Sequence, residues 1–219
     1  MTLVAISASY GAGGTVIGPE LAQRLGVTFV DRAIPLAVAE ELDVPLDDAE
    51  AHDEEAPAPS WLDRLLRGFT NTDASVPAPI PPSSFTSEDF RRATEHALLR
   101  QAETGSGVIL GRGSVIVLRD RPKVLRVRLD GPRERRIEQA MRLGNLDQAS
   151  AQAALERLDR THAEYARLLY RADLGDPSLY HLVIDSTALQ TATCVQLIAE
   201  AAQALGAQAA GGRGRTTST

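Results

Sequence analysis

"SYGAGGTVIG", residues 9–18, packs four glycines into the eight residues from Gly11 to Gly18. Phosphate-binding loops follow G-x-x-x-x-G-K-[ST], in which backbone N–H groups cradle the phosphates and the lysine adds charge. Laid on that pattern, Gly13 and Thr15 stand at the second glycine and the hydroxyl, while Ala8 replaces the first glycine and Gly14 the lysine. Three readings are open. A tight strand-to-helix turn without a ligand needs fewer glycines than these. A dinucleotide turn is suggested by Asp31, 20 residues beyond Gly11, where a ribose-binding acid belongs. From Gly11 and Gly13, however, the third glycine of G-x-G-x-x-G would fall on Val16. The third reading is a phosphate loop that works without lysine. It would bind anions through the N–H groups of Gly11, Ala12, Gly13, Gly14 and Thr15 at a helix N-terminus, with the Thr15 hydroxyl offered to Mg²⁺.

The flanks support a strand-loop-helix. "TLVAISA" (2–8) is an apolar run of the kind that forms a buried parallel strand. "GPELAQRLG" (18–26) has helical spacing and stops at Gly26, and "TFVD" (28–31) is a second strand. Together they make a βαβ unit. Further on, "GVILGRG" (107–113), "KVLRVRLDG" (123–131) and "YHLVIDST" (180–187) read as strands, and 33–42, 87–103, 132–144, 147–173 and 189–206 as helices. Strands alternating with helices imply a parallel sheet covered on both faces. Residues 207–219 read as a disordered tail. A proline-rich insertion, about 56–85, carries one amphipathic stretch, Trp61, Leu62, Leu65, Leu66 and Phe69, fit for core packing or a homodimer contact.

Composition narrows the function. The 219 residues, 43% apolar and 24% charged, suit one globular domain with a small lid. A net charge of -6 argues against a nucleic-acid partner, which calls for a basic face. Lys123 is the sole lysine among 23 basic residues, so phosphate recognition falls to guanidinium groups, which grip oxygens bidentately. The single cysteine, Cys194, sits in an apolar-periodic stretch and reads as a buried structural thiol in a reducing, cytoplasmic setting. No membrane span or signal peptide is apparent. The acidic run "DDAEAHDEE" (47–55), including His52, Asp53 and Glu54, matches no standard ligand spacing and reads as a solvated surface.

Six segments in order carry a resemblance: "ISASYGAGGTVIG", "FVDRAI", "VILGRG", "VRLDGPRERRIEQAMRL", "LDRTHAEYARLLYRAD" and "YHLVIDST". Together they resemble the cytidylate kinase-like family of P-loop nucleoside monophosphate kinases, over roughly residues 1–55 and 86–205. The resemblance implies an α/β fold with a five-stranded parallel sheet, a helical segment that binds the monophosphate, and an arginine-bearing lid at about 144–172. It implies a single kinase-like domain over 1–206 that uses ATP and Mg²⁺ on small-molecule nucleotides, with CMP or dCMP as acceptor.

Phosphoryl transfer needs alignment and charge neutralisation rather than covalent chemistry. On the family pattern, Gly11–Thr15 would cradle the ATP phosphates and Arg112 would hold the acceptor's phosphate. Asp31 and Arg32 fall where the acceptor segment begins, and would either touch the monophosphate or pair with each other. Arg157, Arg160 and Arg167 of the lid would be the catalytic arginines, the alternative being a solvated stripe paired with Glu156, Asp159 and Glu164. The chain departs from the pattern at Gly14, at Thr15 where relatives tend to carry arginine, at Gly113 for an aspartate, and at His162 for an arginine.

Overall fold

The computed structural model describes residues 3–30, 87–111 and 113–211. The chain divides into two compact units, Met1–Asp31 with Leu98–Thr219, and Arg32–Ala97. The expected helix at 33–42, the acidic run, the Trp61 stretch, and Asp31, Arg32 and Arg112 lie outside the described residues.

Five strands, β1 (Leu3–Ala8), β2 (Phe29–Val30), β3 (Gly107–Leu110), β4 (Val124–Asp130) and β5 (Leu182–Asp185), form one parallel sheet in the order β2-β3-β1-β4-β5. That order differs from both common doubly wound dinucleotide- and flavin-binding arrangements. Six α-helices accompany it among the described residues: α1 (Gly14–Leu25), α2 (Ser87–Glu103), α3 (Ser114–Val117), α4 (Arg133–Gly144), α5 (Gln148–Tyr170) and α6 (Thr191–Gly211).

The central strand β1 is buried along Leu3–Ile6, which is why it reads as an unbroken apolar run. In β4 the alternation sorts the two faces. Leu125, Val127 and Leu129 enter one core with Ile17, Leu21 and Ala22 of α1 and Cys194, Val195, Ile198, Ala199 and Ala202 of α6. Arg126 and Arg128 pair in register with Ala5 and Ser7 of β1, small residues that leave room for guanidinium groups. Cys194 is fully buried, and burial raises its thiol pKa.

Local chemistry sets the helix ends. The first helix starts at Gly14, four residues earlier than its spacing suggests, because the glycine loop turns directly into it, and it stops at left-handed Gly26. Asp147 caps α5 by accepting the Ser150 N–H at 2.7 Å. The closing helix runs to Gly211, into the stretch expected to be tail, since "AQALGAQAA" is rich in strong helix formers. A second apolar cluster joins Ile137 and Ala140 of α4 to Ala151 and Leu155 of α5, with Tyr10, Met141 and Leu146 against it. No helix among the described residues is long and apolar enough to cross a membrane.

Candidate active site

The chain leaves β1 at the carboxyl end of the sheet, where open parallel sheets bind ligands. Ser9 N–H donates to the Leu129 carbonyl at 3.0 Å, and Ala12 N–H turns back to the Ser9 carbonyl at 3.0 Å. Gly11 (φ 77°) and Gly13 (φ 75°) are left-handed, the conformation that only glycine adopts without strain. Space is short as well: a Cβ at Gly11 would overlap the Arg136 carbonyl oxygen. Gly13 caps α1 with no side-chain hydrogen bond. The N–H groups of Gly11, Gly13, Gly14 and Thr15 find no partner among the described residues. Orphan amides at a helix N-terminus, with the positive end of the helix dipole behind them, form an anion-binding concavity.

The missing lysine has a steric explanation. A Cβ at Gly14 would lie 2.7 Å from the Ala8 Cβ and 3.1 Å from Leu110 Cδ1. Leu110 can rotate away, but Ala8 is pinned in the sheet. Ordinary loops have glycine at position 8 and lysine at 14; this chain has alanine at 8 and glycine at 14. The two departures face each other across the loop.

A part-buried ion pair grips the loop from behind. Tyr10 N–H donates to Asp159 Oδ1 (3.2 Å), and the Tyr10 carbonyl accepts from Arg136 Nη1 (3.0 Å). Arg136 also meets Asp159 with both arms, at 3.1 and 2.8 Å, and its Nε donates to the Gly131 carbonyl at 3.0 Å. Its side chain is 10% exposed. Ser186, at the end of β5, donates its hydroxyl to the Ala12 carbonyl at 2.7 Å. The Tyr10 hydroxyl is pushed up by burial, against the charge of Arg157, which pulls it down.

Beside this lies a second pair. Arg128 Nη2 donates to Ser9 Oγ and Asp130 Oδ2, each at 2.9 Å, and its guanidinium carbon sits 5.8 Å from the centre of the Tyr180 ring. Burial alone would raise the Asp130 carboxyl, but the Ser9 hydroxyl, Arg128 and the Gly131 N–H hold it below the usual range. The remaining arginines of the first turns of α4 are matched too, Arg133 to Glu156 and Arg135 to Asp185.

The structure thus brings Gly11, Ala12, Gly13, Gly14 and Thr15 together in one loop, with the Thr15 side chain exposed. Arg157, Arg160 and Arg167 are exposed on α5, while Leu155, Leu158 and Ala166 face inward. Asp159 of α5 hydrogen-bonds to the loop backbone. The sequence offers Asp159 only as a counter-ion in the alternative reading of the stripe, and singles out none of Arg136, Arg128 and Ser186. The alternating arginines of "VLRVRLD" were the available signal for Arg128; nothing local marks Arg136, whose partner stands 23 residues on. At Gly113, a left-handed residue, a Cβ would lie 2.7 Å from Tyr170 Cε2. The place of the family's aspartate is therefore closed by a tyrosine from α5.

The cytidylate kinase-like family matches residues 3–188, and the chain belongs to that family. A curated relative, a uronate isomerase of Corynebacterium glutamicum, is 34% identical over 142 residues, 64% of this chain. The chain spans about a quarter of that protein's length, 26% being matched. Among solved structures, an uncharacterized protein from Eubacterium ventriosum superposes with a TM-score of 0.63 at 17% identity, covering 93% of this chain and 99% of that one. A gluconokinase from Sinorhizobium meliloti gives a TM-score of 0.50 at 17% identity, covering 99% and 98%. At these identities the likeness is one of fold, that of the P-loop kinases.

Proposed function

We propose that this member of the cytidylate kinase-like family moves the γ-phosphoryl group of ATP onto a nucleoside monophosphate, with CMP or dCMP as acceptor. The supporting observation is the glycine loop at the start of α1, four of whose N–H groups find no partner among the described residues. In this reading Gly11–Thr15 hold the ATP phosphates. Arg112 holds the acceptor's phosphate, with Asp31 and Arg32 at the start of the acceptor segment. Arg157, Arg160 and Arg167 supply positive charge from α5. Because Tyr170 fills the space beside Gly113, the acceptor base is read by residues other than 113.

Mg²⁺, when bound, neutralises charge on the β- and γ-phosphates. Among the described residues no three His, Cys, Asp or Glu side chains gather. The ion would be held mainly by substrate phosphates, with the exposed Thr15 hydroxyl as the protein ligand. The loop amides position the phosphates and the lid arginines neutralise developing charge, which is most of what this chemistry asks of a protein.

A second reading, nucleotide binding without turnover, is favoured by one observation. Arg128 and Arg136, which hydrogen-bond to the loop, are already matched by Asp130 and Asp159. The two readings separate in one assay. Purified protein with ATP and Mg²⁺ should convert CMP or dCMP to the diphosphate, with ADP released in equal amount. Saturable ATP binding with no ADP from any monophosphate would establish the second reading instead.

A further inference from the structure

The loop lacks its lysine, yet an uncharged side chain stands beside its glycines at the start of α1. Gln139 stands on α4, one turn beyond Arg135 and Arg136. Its Nε2 lies 2.6 Å from where a Cβ on Gly13 would sit. Gly13 is the cap residue of α1, so the amide is beside the orphan N–H groups of Gly13, Gly14 and Thr15. No hydrogen-bond partner for the Gln139 amide is found among the described residues. It is half-buried, and its backbone cannot wander. Ile137 and Ala140 on either side are packed against α5, and Arg136 is clamped to Tyr10, Gly131 and Asp159.

We infer that Gln139 is the side chain α4 supplies to the phosphate chain, a neutral donor where most such loops use a cation. Its N–H₂ group would add two donors to the loop's row of amides. The nearby arginines do not take this part, since Arg128 and Arg136 point their charge at Asp130 and Asp159. An anion site built this way holds phosphate by directional hydrogen bonds more than by net charge. The share of the affinity that the loop amides and Gln139 supply should therefore fall little as salt rises, unlike any share from the α5 arginines, because only charge–charge attraction is screened. The inference rests on the ATP-binding reading and adds a residue to it.

The test is calorimetric titration of Mg²⁺–ATP into the full chain and into Gln139→Leu, Gln139→Glu and Gln139→Lys, at low and high salt, each variant first checked by thermal melting. Losing a hydrogen bond from a neutral amide to an ionised phosphate should weaken binding about 10- to 100-fold in Gln139→Leu. Gln139→Glu, with the same shape and an opposed charge, should weaken it further. Gln139→Lys should tighten binding at low salt and lose that gain at high salt. Wild-type affinity in both Gln139→Leu and Gln139→Glu would overturn this inference while leaving the ATP reading intact. Absence of any binding by the wild type would overturn both. Should Gln139→Leu fail to fold, the charged pair of variants carries the same comparison, since their opposite shifts cannot arise from lost packing.

Discussion

Two regions hold the phosphate loop in place by different physics. On its inner side, α1 and α6 close over the sheet with a dry cluster that includes Ile17, Leu21, Cys194 and Ile198. On its outer side, Tyr10 is held between Arg136 of α4 and Asp159 of α5. The inner contacts are many, weak and without direction, so they fix where the helix lies but not how each loop peptide is turned. The outer contacts are few and directional, and they orient one peptide unit at both ends. A loop whose function is to aim N–H groups needs both.

The largest effect should come from breaking that comparison at each side. Ile198→Ala in the core should cost 2–5 kcal/mol, about the range for emptying a fully buried aliphatic site, and leave ATP affinity of the folded protein alone. Arg136→Met should cost about 1–3 kcal/mol, because the Tyr10 and Gly131 carbonyls lose their donor and the part-exposed Asp159 loses its charged partner. It should also weaken ATP binding, since the Tyr10 peptide is released. Urea unfolding and calorimetry read the two quantities separately. The double variant Arg136→Met with Asp159→Leu should recover stability, as apolar replacements of buried pairs often do, without recovering ATP affinity. Recovery of both would mean that the pair only stabilises and does not orient.

A smaller effect tests whether the departures at Ala8 and Gly14 are linked. Gly14→Lys alone puts a Cβ within 2.7 Å of the Ala8 methyl and should cost about 1–3 kcal/mol, the usual penalty for overpacking. Ala8→Gly removes that methyl, so the double variant should be more stable than the sum of the singles allows, a coupling expected only of residues in contact. It should also bind ATP more tightly and with a steeper salt dependence. Additive costs would show that the missing lysine and the alanine are unrelated.

The inner region was open to sequence reading and the outer one was not, for a physical reason. Apolar packing follows local periodicity: the run Leu3–Ile6, the spacing of Leu21, Ala22 and Leu25, and the repeat through Cys194 and Ile198 all announce their faces. So do the left-handed glycines, which is why the loop itself was legible. The junction joins residues 126 and 149 positions apart, Arg136 and Asp159 to Tyr10, and no local pattern carries that information. Arginines spread along α4 and α5 look alike until the fold decides which face a carboxylate. The emphasis on Arg157, Arg160 and Arg167 came from family position. The emphasis on Arg136, Asp159 and Gln139 comes from where the chain puts them.

The smallest expected effect concerns the second ion pair and sharpens the contrast by pH. Asp130 faces Arg128 on its own strand, Arg136 at 3.6 Å from α4, and Ser9 and the Gly131 N–H from the neighbouring turns. Its carboxyl is held below its ordinary value, so the folded state binds the proton less tightly than the unfolded state does. The stability it contributes is therefore complete above about pH 4, the ordinary aspartate range, and is lost as pH falls through the depressed folded value. Because the side chain is 34% exposed, the contribution should be at most about 1 kcal/mol. Asp130→Asn keeps the shape and removes the titration. It should be slightly less stable than the wild type at neutral pH, and the gap should close as the solution is acidified below about pH 4. Arg128→Gln does the opposite to the same group. With the guanidinium gone, the folded carboxyl moves back toward its unfolded value, so the acid loss of stability traceable to Asp130 should be smaller than in the wild type and complete at a higher pH. The buried core carries no such charge, so Ile198→Ala should follow the wild-type pH dependence at a constant offset. A constant offset for Asp130→Asn as well, measured by urea midpoints across the acid range, would remove Asp130 from the set of groups that hold the loop.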